Sequence, residues 1–281
     1  MAGDTWVEEL EDGQVVDATF AVQRKTKRRT RAGDPFLSVE LADRTGRVPA
    51  VVWNDVNVID GRFTEGDTVR VLGRVGTYDG RLQIELRDLE KLAPGDALEL
   101  LPGARRDAET LDGMVEFLAG EIHHAGLAAL VGRFLGDAPF RARFRAAPAA
   151  ETHHAYAGGL LEHTVAVAAI CRETAQLHPR LNADLLLASA ILHDCGCVDA
   201  FVTGAVILPS ERGALLGHVH LGLARIERAG ARAHIDESAL QPLLGIVASH
   251  HGPPEGRRFP SPEAVALHAA NALDARVNDA F

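Results

Sequence analysis

The spacing of the apolar residues changes once along this chain, and the change divides it into two parts. Within residues 13–92, five short runs alternate apolar and polar side chains, and turn-forming groups such as Tyr78-Asp-Gly-Arg81 separate them. From about residue 110 onward, Ala, Leu and Arg dominate and the strand-like alternation disappears. A chain of 281 residues is long enough for about two domains. The pattern therefore predicts a multidomain β + α protein.

The first part has the strand content of a small closed barrel. Five strands with one intervening segment at 54–66 predict an OB-type barrel within residues 1–95. Residues 96–112 carry Pro, Gly and charged residues and are predicted to be a linker. Residues 113–281 are predicted to form an all-α helical bundle. Its main predicted helices span 159–177, a stretch from Asn182 or Asp184 to Asp194, 213–229 and 238–251, with a last helix from 261 onward.

The composition is that of a soluble globular protein. Hydrophobic residues make up 47% and charged residues 24%, which excludes disorder as the main state. No apolar run approaches the ~18 residues that a membrane span needs, so we predict no membrane association. The N-terminus lacks the apolar stretch of a secretory signal, and three cysteines cannot form a disulfide framework. We therefore expect a cytoplasmic protein.

One basic segment departs from the acidic balance of the chain. The net charge of −10 argues against nucleic-acid binding by the whole surface, yet six of the eight residues at 24–31 are basic. We predict that this segment is the loop between the first two strands, which borders the nucleic-acid groove of an OB-type barrel. The alternative is a solvated loop beside core aromatic rings. The candidate nucleic-acid-binding residues are Arg24, Lys25, Lys27, Arg28, Arg29, Arg31, Phe36, Trp53 and Tyr78.

The histidines are confined to the second part. All 13 lie after residue 95. Several stand in apolar helical segments, where a buried polar side chain needs a partner and neutral imidazole is a common metal ligand. A single core histidine is more often a satisfied structural residue, but a series on successive helices favours a metal site. The series is His163, His193, Asp194, His218, His250 and His251, with Asn271 or Asp274 on the last helix.

The motifs around these residues are similar to those of a known family. The segment from His153-His154 to Glu162-His163-Thr resembles the opening motif of HD-domain phosphohydrolases. Further matching motifs are Ala190-Ile-Leu-His193-Asp194-Cys-Gly, Gly213-Ala-Leu-Leu-Gly-His218, Ser249-His250-His251-Gly252 and Leu273-Asp274-Ala275. With Leu41-Ala-Asp-Arg-Thr-Gly46 and Tyr78-Asp-Gly-Arg-Leu-Gln83, they resemble the YhaM-type 3′→5′ exoribonucleases, which join an OB-fold to an HD domain. The resemblance covers nearly the whole chain and implies that residues 113–281 form an HD-domain bundle.

The resemblance implies two adjacent sites for divalent metal ions. The first site would use His163, His193, Asp194 and a residue of the last helix. The second site would use His218, His250 and His251, with Asp194 shared. Two cations roughly 3.5–4 Å apart can stabilise both oxygens of an in-line phosphoryl displacement. Mixed His and Asp ligands favour Mn, Fe or a similar transition metal over Mg.

The predicted catalytic residues are Asp194, His193 and His154. His153 and His154 precede the first metal helix, where they are expected to contact phosphate or orient the substrate; a polar pair leading into the helix is the alternative.

Two positions depart from the family pattern. Cys197 stands where the His-Asp-x-Gly-Lys motif has Lys, and Asn271 stands at the first Asp of the usual Ala-Asp-x-Leu-Asp-Ala. A neutral amide oxygen holds a cation less strongly than a carboxylate does. Asp274 lies three residues further on nearly the same helix face, so both residues remain candidate ligands. Cys195 and Cys197 are expected to pack rather than to bind metal.

The predicted activity is that of a metal-dependent 3′→5′ exonuclease on single-stranded RNA, with single-stranded DNA left open as a further substrate. The polarity of cleavage rests on the resemblance alone. Two alternatives belong to other classes: a phosphohydrolase acting on mononucleotides or cyclic dinucleotides, and a nucleic-acid-binding protein with a degenerate HD site. Asn271 and Cys197 motivate the second alternative. Homo-oligomer formation is also left open.

Overall fold

The computed structural model describes residues 5–93, 100, 103–150, 154–203, 206–253 and 255–280. The chain divides into two compact units. One contains Met1–Pro102 together with Thr203–Leu208, and the other contains Gly103–Val202 together with Pro209–Phe281. The predicted boundaries at 95 and 113 stay a prediction, but the first helix of the second unit begins at Ala108, inside the predicted linker. Asp107 caps this helix by accepting a hydrogen bond from the backbone N–H of Thr110.

The first unit contains the predicted five-stranded barrel, and the fold class is confirmed. Its strands are β1 (Val15–Arg29), β2 (Pro35–Asp43), β3 (Gly46–Val52), β4 (Thr68–Tyr78) and β5 (Arg81–Lys91), with a short helix α1 (Val56–Asp60) between β3 and β4. The strand order β1-β2-β3-β5-β4 closes the barrel, with β3 and β5 parallel and the other pairs antiparallel. Alternate side chains such as Phe20, Leu37 and Ile84 fill its interior.

Most of the basic segment is strand rather than loop, which corrects the sequence prediction: residues 24–29 belong to β1, and only Thr30 and Arg31 lie in the connection to β2. β1 runs on to Arg29 and pairs with β2 in a long hairpin, with Arg24 opposite Glu40 and Arg28 opposite Phe36. The connection between the strands is confined to residues 30–34. Backbone pairing with β2 fixes the extended conformation regardless of the charge on the side chains. The basic side chains therefore alternate between the two faces of the strand.

The second unit is a helical bundle, as predicted. Its helices are α2 (Ala108–Gly120), α3 (Ala125–Leu135), α4 (Ala138–Ala146), α5 (Gly159–Leu177), α6 (Ala183–Leu192), α7 (Cys197–Ala200), α8 (Glu211–Ala233), α9 (Glu237–Ala248) and α10 (Pro262–Asp279). The segment between α7 and α8, which includes Thr203–Leu208 of the first unit, contains two short strands, β6 (Phe201–Thr203) and β7 (Ile207–Pro209), which pair with each other. The apolar run 185–192 is buried on all sides of α6, and α5, α9 and α10 pack around it. Among the described residues, no helix is long and apolar enough to cross a membrane.

One helix differs from its prediction in a way that matters for the site. The sequence predicts a continuous helix over 213–229, whereas α8 is broken at Gly217, where φ is 70° and ψ is 157°. This left-handed φ is accessible to glycine at little cost. The break immediately precedes His218 and therefore changes the direction in which the His218 side chain points.

Candidate metal centre and nucleic-acid face

Side chains from five parts of the helical unit meet at one buried centre. α5 contributes His163, and the turn after α6 contributes His193 and Asp194. The kink in α8 contributes His218, the end of α9 contributes the adjacent pair His250-His251, and α10 contributes Asn271 and Asp274. The centre is inaccessible at its base, since His163, His193 and His250 are all 0% exposed and Asp194 is 3% exposed.

The first group of atoms surrounds one oxygen of Asp194. Nε2 of His193 lies 3.4 Å and Nε2 of His163 lies 3.7 Å from Oδ2 of Asp194, and the two Nε2 atoms lie 3.3 Å apart. Oδ1 of Asn271 lies 2.9 Å from Nε2 of His163. The nitrogen and carboxylate atoms of His163, His193 and Asp194 are close enough together to hold one metal ion.

The second group of atoms surrounds the other oxygen of Asp194. Nε2 of His250 lies 3.2 Å and Nε2 of His218 lies 3.5 Å from Oδ1 of Asp194. Nε2 of His251 lies 2.8 Å from Nε2 of His218. These four residues form a second set with metal-ligand spacing. A single carboxylate therefore lies between two sets of imidazoles.

The hydrogen bonds on the far side of each ring determine which nitrogen carries the proton. Nδ1 of His193 donates to the carbonyl oxygen of Ala190 at 2.8 Å, and Nδ1 of His250 donates to that of Val247 at 2.6 Å. Because a carbonyl oxygen only accepts, Nδ1 is the protonated atom of each ring. In the neutral tautomer, Nε2 then presents a lone pair toward Asp194.

The facing lone pairs leave polar atoms unsatisfied. Oδ1 of Asp194 and Nε2 of His250 are buried, and neither has a hydrogen-bond partner within the described part of the chain. Two acceptors that face each other in a buried site repel, and the desolvation penalty of each remains uncompensated. A cation between them satisfies both. The donor set therefore fits divalent metal ions, with imidazole nitrogen as the principal ligand.

The charge states of the centre follow from its burial. Burial raises the pKa of Asp194, but the neighbouring histidines, His193 foremost, outweigh this effect and hold that pKa well below its usual value. Burial lowers the pKa of His193 to about 3, so the ring is neutral at physiological pH. Burial also lowers the pKa of His250, but Asp194 outweighs it and the net shift is upward. A proton and a metal ion therefore compete for Nε2 of His250.

Asn271 and Asp274 occupy different sides of His163. Oδ1 of Asn271 is on the Nε2 side, within the first group of atoms. Oδ2 of Asp274 accepts a hydrogen bond from Nδ1 of His163 at 2.6 Å, on the opposite side of the ring. A carboxylate behind a ligating imidazole fixes the tautomer and raises the basicity of the ligating nitrogen. Asn271 thus lies on the ligand side of His163, and Asp274, about one helical turn further along α10, orients the His163 ring.

His154 is on the Asp274 side of the centre. It is 4% exposed, has a φ of 47°, and its Nε2 lies 2.8 Å from Oδ2 of Asp274. Its Nδ1 lies 2.6 Å from the hydroxyl of Tyr156, which in turn donates to Glu162 at 2.8 Å. His154 thus reaches His163 through Asp274, and its catalytic role stays a prediction. His153 lies outside the described residues.

The two cysteines of the turn after α6 are packed. The thiol of Cys197 donates to the carbonyl oxygen of Ala149 at 3.2 Å, and that of Cys195 lies 3.8 Å from the carbonyl oxygen of Gly222. Burial raises the pKa of Cys195 to about 12 and raises the pKa of Cys197 well above its usual value. Both thiols stay protonated, and neither belongs to the ligand groups found among the described residues.

Sequence reasoning missed the role of Gly196. A Cβ at this position would lie 2.0 Å from the carbonyl oxygen of His218 and 2.5 Å from the backbone nitrogen of Gly222. The absence of a side chain lets α8 approach the turn that carries His193 and Asp194. Gly196 belongs to the motif that contains His193 and Asp194, so the sequence marks the residue. The sequence does not show that α8, which Gly196 contacts, is the neighbouring helix.

The barrel brings together part of the predicted nucleic-acid-binding set. Arg24 and Arg28 line a cavity of about 570 Å³ together with Arg47 and Arg81, which sequence reasoning missed because they are distant from the basic segment. Cross-strand pairing puts Phe36 opposite Arg28. Its ring lies 5.0 Å from that of Trp53, which is 46% exposed.

The remaining candidates have different surroundings. The ammonium group of Lys25 lies 3.0 Å from the carboxylate of Asp60 and donates to the carbonyl oxygens of Asp60 and Phe63. Lys27 also lies near Asp60, at 3.7 Å, and Arg29 donates to the carbonyl oxygen of Gly33. The structure thus divides the basic segment between a face anchored on α1 and an open face. Arg31 and Tyr78 are exposed outside both.

Comparison with known proteins agrees with both units. Residues 6–92 match the model of an OB-fold nucleic acid binding domain, and residues 160–276 match the model of the HD domain. The 3′-5′ exoribonuclease YhaM of Bacillus subtilis is 30% identical over 278 residues, covering 95% of this chain and 87% of its own length. The chain belongs to the YhaM family. Proteins of the same name from Geobacillus sp. and Bacillus licheniformis are 30% and 29% identical and are covered over 84% and 87% of their length.

The family assignment confirms the resemblance drawn from the motifs. The HD domain and the cluster of histidines around Asp194 together indicate binding of divalent metal ions.

We predict that Gly196→Ala disturbs the second group of atoms. The added methyl group must push α8 away, at a cost of about 1–3 kcal/mol in unfolding free energy, and must displace His218. Metal content measured by mass spectrometry and stability measured by urea denaturation are both expected to fall. The matched control is Gly132→Ala on α3, where a Cβ meets nothing within 4 Å. An unchanged metal content in Gly196→Ala would contradict the role assigned to this close approach.

Proposed function

We propose that this protein is a metal-dependent 3′→5′ exonuclease that hydrolyses single-stranded RNA. The observation that carries the proposal is the buried carboxylate of Asp194, which lies between the Nε2 atoms of His193 and His250. The Nδ1 atoms of both rings donate to backbone carbonyl oxygens, so each Nε2 presents a lone pair to the carboxylate. Such a set has the composition of a metal centre, and the curated relatives that the chain matches over 95% of its length are named 3′-5′ exoribonucleases. Polarity and substrate are inferred from this family membership.

Two ions are proposed, one for each group of atoms. One ion would be held by His163, His193, Asp194 and Asn271. The other would be held by His218, His250, His251 and Asp194. When bound, the pair would supply Lewis-acid stabilisation of the attacking and leaving oxygens of a phosphodiester. Nitrogen ligands outnumber carboxylates strongly in this set, which favours Mn²⁺, Fe²⁺ or another transition metal over Mg²⁺.

The residues of the chain orient the centre and exclude water from its base. Asp274 accepts the Nδ1 proton of His163 and thereby holds the lone pair of Nε2 toward Asp194. His154 also hydrogen-bonds to Oδ2 of Asp274 through its Nε2 and so helps to position that carboxylate. The carbonyl oxygens of Ala190 and Val247 do the same for His193 and His250. A substrate phosphate can approach from the side of His218 and His251, since His218 is about one-quarter exposed and His251 is exposed.

The barrel is proposed to bind the single strand. Phe36 and Trp53 offer stacking surfaces for bases beside Arg28, and Arg24 extends the positive charge along the same strand. Lys25 is engaged by Asp60 and Phe63, so its contribution is to hold the hairpin. Lys27, Arg29, Arg31 and Tyr78 are proposed to contact the strand outside the open face. The cytoplasm is the proposed compartment.

We predict that Asp194→Ala loses metal and nuclease activity together, because the only carboxylate shared by the two proposed sites is removed. The measurement is cleavage of a 5′-labelled RNA oligonucleotide with Mn²⁺, with metal content determined on the same preparations. Asp236→Ala is the matched control, since this exposed aspartate makes no side-chain capping bond to α9. Retained cleavage in Asp194→Ala would refute the proposed metal centre, whereas wild-type protein that binds metal and RNA without cutting would refute the proposed activity.

The two α10 residues are expected to respond in opposite directions. Asn271→Asp adds a carboxylate on the ligand side of His163 and is predicted to raise metal affinity. Asp274→Ala frees the His163 ring and is predicted to lower metal affinity by about 10–100-fold. Competition with a chromophoric chelator measures both, and Asp279→Ala, an exposed change on the same helix, serves as control. Loss of one whole ion in Asp274→Ala, with no effect of Asn271→Ala, would identify Asp274 as the ligand instead.

RNA binding by the barrel is tested without cleavage, in buffer lacking divalent metal. Trp53→Ala is predicted to weaken binding of a labelled oligouridine by about 1–3 kcal/mol through lost stacking. Arg28→Ala is predicted to reduce the slope of log affinity against log salt by about one. Fluorescence anisotropy at several salt concentrations gives both quantities. Arg62→Ala removes an exposed arginine of the same unit that is already paired with Asp88, and should change neither.

A further inference from the structure

A second concentration of positive charge lies in the helical unit, away from the metal centre. A cavity of about 240 Å³ is formed where α3, α4, α7 and α8 meet. Its charged lining residues are Arg133, Arg212, Arg225, Arg228, Arg232, Asp137 and Asp199. Five arginines therefore face two aspartates in a chain whose net charge is −10. No histidine or carboxylate of the metal centre lines this cavity.

The two aspartates are already engaged by other groups. Asp199 binds Arg225 and also Arg143, which lies outside the lining set, at 2.9 Å. The carboxylate of Asp137 accepts the backbone N–H of Phe140 and so caps α4. Within the described part of the chain, the remaining three arginines of α8 have no carboxylate partner; they are Arg212, Arg228 and Arg232. The positive charge of the cavity is therefore not neutralised internally.

Arg133 and Arg225 are held by contacts within the protein before any ligand arrives, and Nε of Arg228 donates to the carbonyl oxygen of Ala224 at 3.0 Å. Arg225, Arg228 and Arg232 follow one another at intervals of three and four residues, which puts them on one face of α8. The guanidinium of Arg225 lies 5.1 Å from the centre of the Phe140 ring, and its Nε is buried without a hydrogen-bond partner. Arg133 donates to the carbonyl oxygen of Arg232 at 3.0 Å. An unsatisfied buried donor beside anchored guanidinium groups requires an acceptor.

We propose that this cavity binds a small phosphorylated anion, of the size of a diphosphate or the terminal phosphates of a nucleotide, at a site distinct from the one that holds the scissile phosphate. Guanidinium groups match phosphate oxygens in paired, charge-assisted hydrogen bonds. The volume lies below the ~300–1,000 Å³ of pockets that enclose drug-sized ligands, which favours a compact anion over a length of strand. The site goes beyond the proposed nuclease function and does not depend on it.

The test is calorimetric titration of the full chain with inorganic pyrophosphate, in buffer without added metal. Because pyrophosphate also binds metal ions, the comparison uses two variants. Arg228→Ala/Arg232→Ala is expected to weaken binding by about tenfold or more, since two charge-assisted contacts are lost. Asp194→Ala, which alters the metal centre, is expected to bind as wild type does. Arg257→Ala/Arg258→Ala removes two exposed arginines outside the cavity and is the control for net charge.

A second variant separates folding from binding. Arg228→Lys/Arg232→Lys keeps the charge but removes the guanidinium forks, so weakened binding with an unchanged melting temperature supports the site. The proposal is overturned if wild type does not bind pyrophosphate, or if Asp194→Ala loses binding while the arginine variants retain it. It is equally overturned if single-stranded oligouridine displaces pyrophosphate and the same arginine variants weaken oligouridine binding, because the cavity would then belong to the path of the strand.

Discussion

The buried carboxylate of Asp194 is the group on which the rest of the helical unit depends. Its two oxygens face separate sets of imidazoles, with Oδ2 toward His163 and His193 and Oδ1 toward His218 and His250. A buried anion that faces the Nε2 lone pairs of neutral rings is costly, and a proton or a cation on those nitrogens relieves the cost. The Nδ1 protons of His193 and His250 are bound by backbone carbonyl oxygens, so divalent cations, when bound, would complete the site at the Nε2 atoms. The unsatisfied atoms are therefore a functional feature of the fold rather than a defect in its packing.

The backbone contributes to this centre at positions where regular helix ends or is interrupted. His193 and Asp194 follow α6, the pair His250-His251 follows α9, and His218 follows the break at Gly217. An uninterrupted helix would direct these side chains along its own face, whereas a terminus lets two consecutive residues point toward one centre. The close approach of α8 at Gly196 then brings His218 within reach of Asp194. Small residues and irregular backbone thus determine the geometry that the histidines use.

Much of this organisation could be predicted from the sequence, and the limits of prediction have physical causes. The histidine series was recognisable because each member interrupts an apolar helical segment. The choice between Asn271 and Asp274 was not, because both lie on nearly the same face of α10 and only their position relative to the His163 ring separates them. The basic segment was expected to be a loop, but backbone pairing with β2 decides its conformation. Arg47 lies beside Arg24 and Arg28 because of the register between the strands, and this register cannot be read from the composition of the sequence.

The two departures from the family pattern have opposite effects on charge. Asn271 in place of the usual aspartate removes one negative charge beside His163. Cys197 in place of the usual lysine removes one positive charge next to the turn that carries His193 and Asp194. The thiol of Cys197 is protonated and still within the electrostatic influence of Asp194. The net charge around the centre is therefore the same as in the family pattern. With cations bound, the negative charge that Asn271 lacks would leave the ligand set more positive, and this charge would attract a phosphodiester in place of the missing lysine.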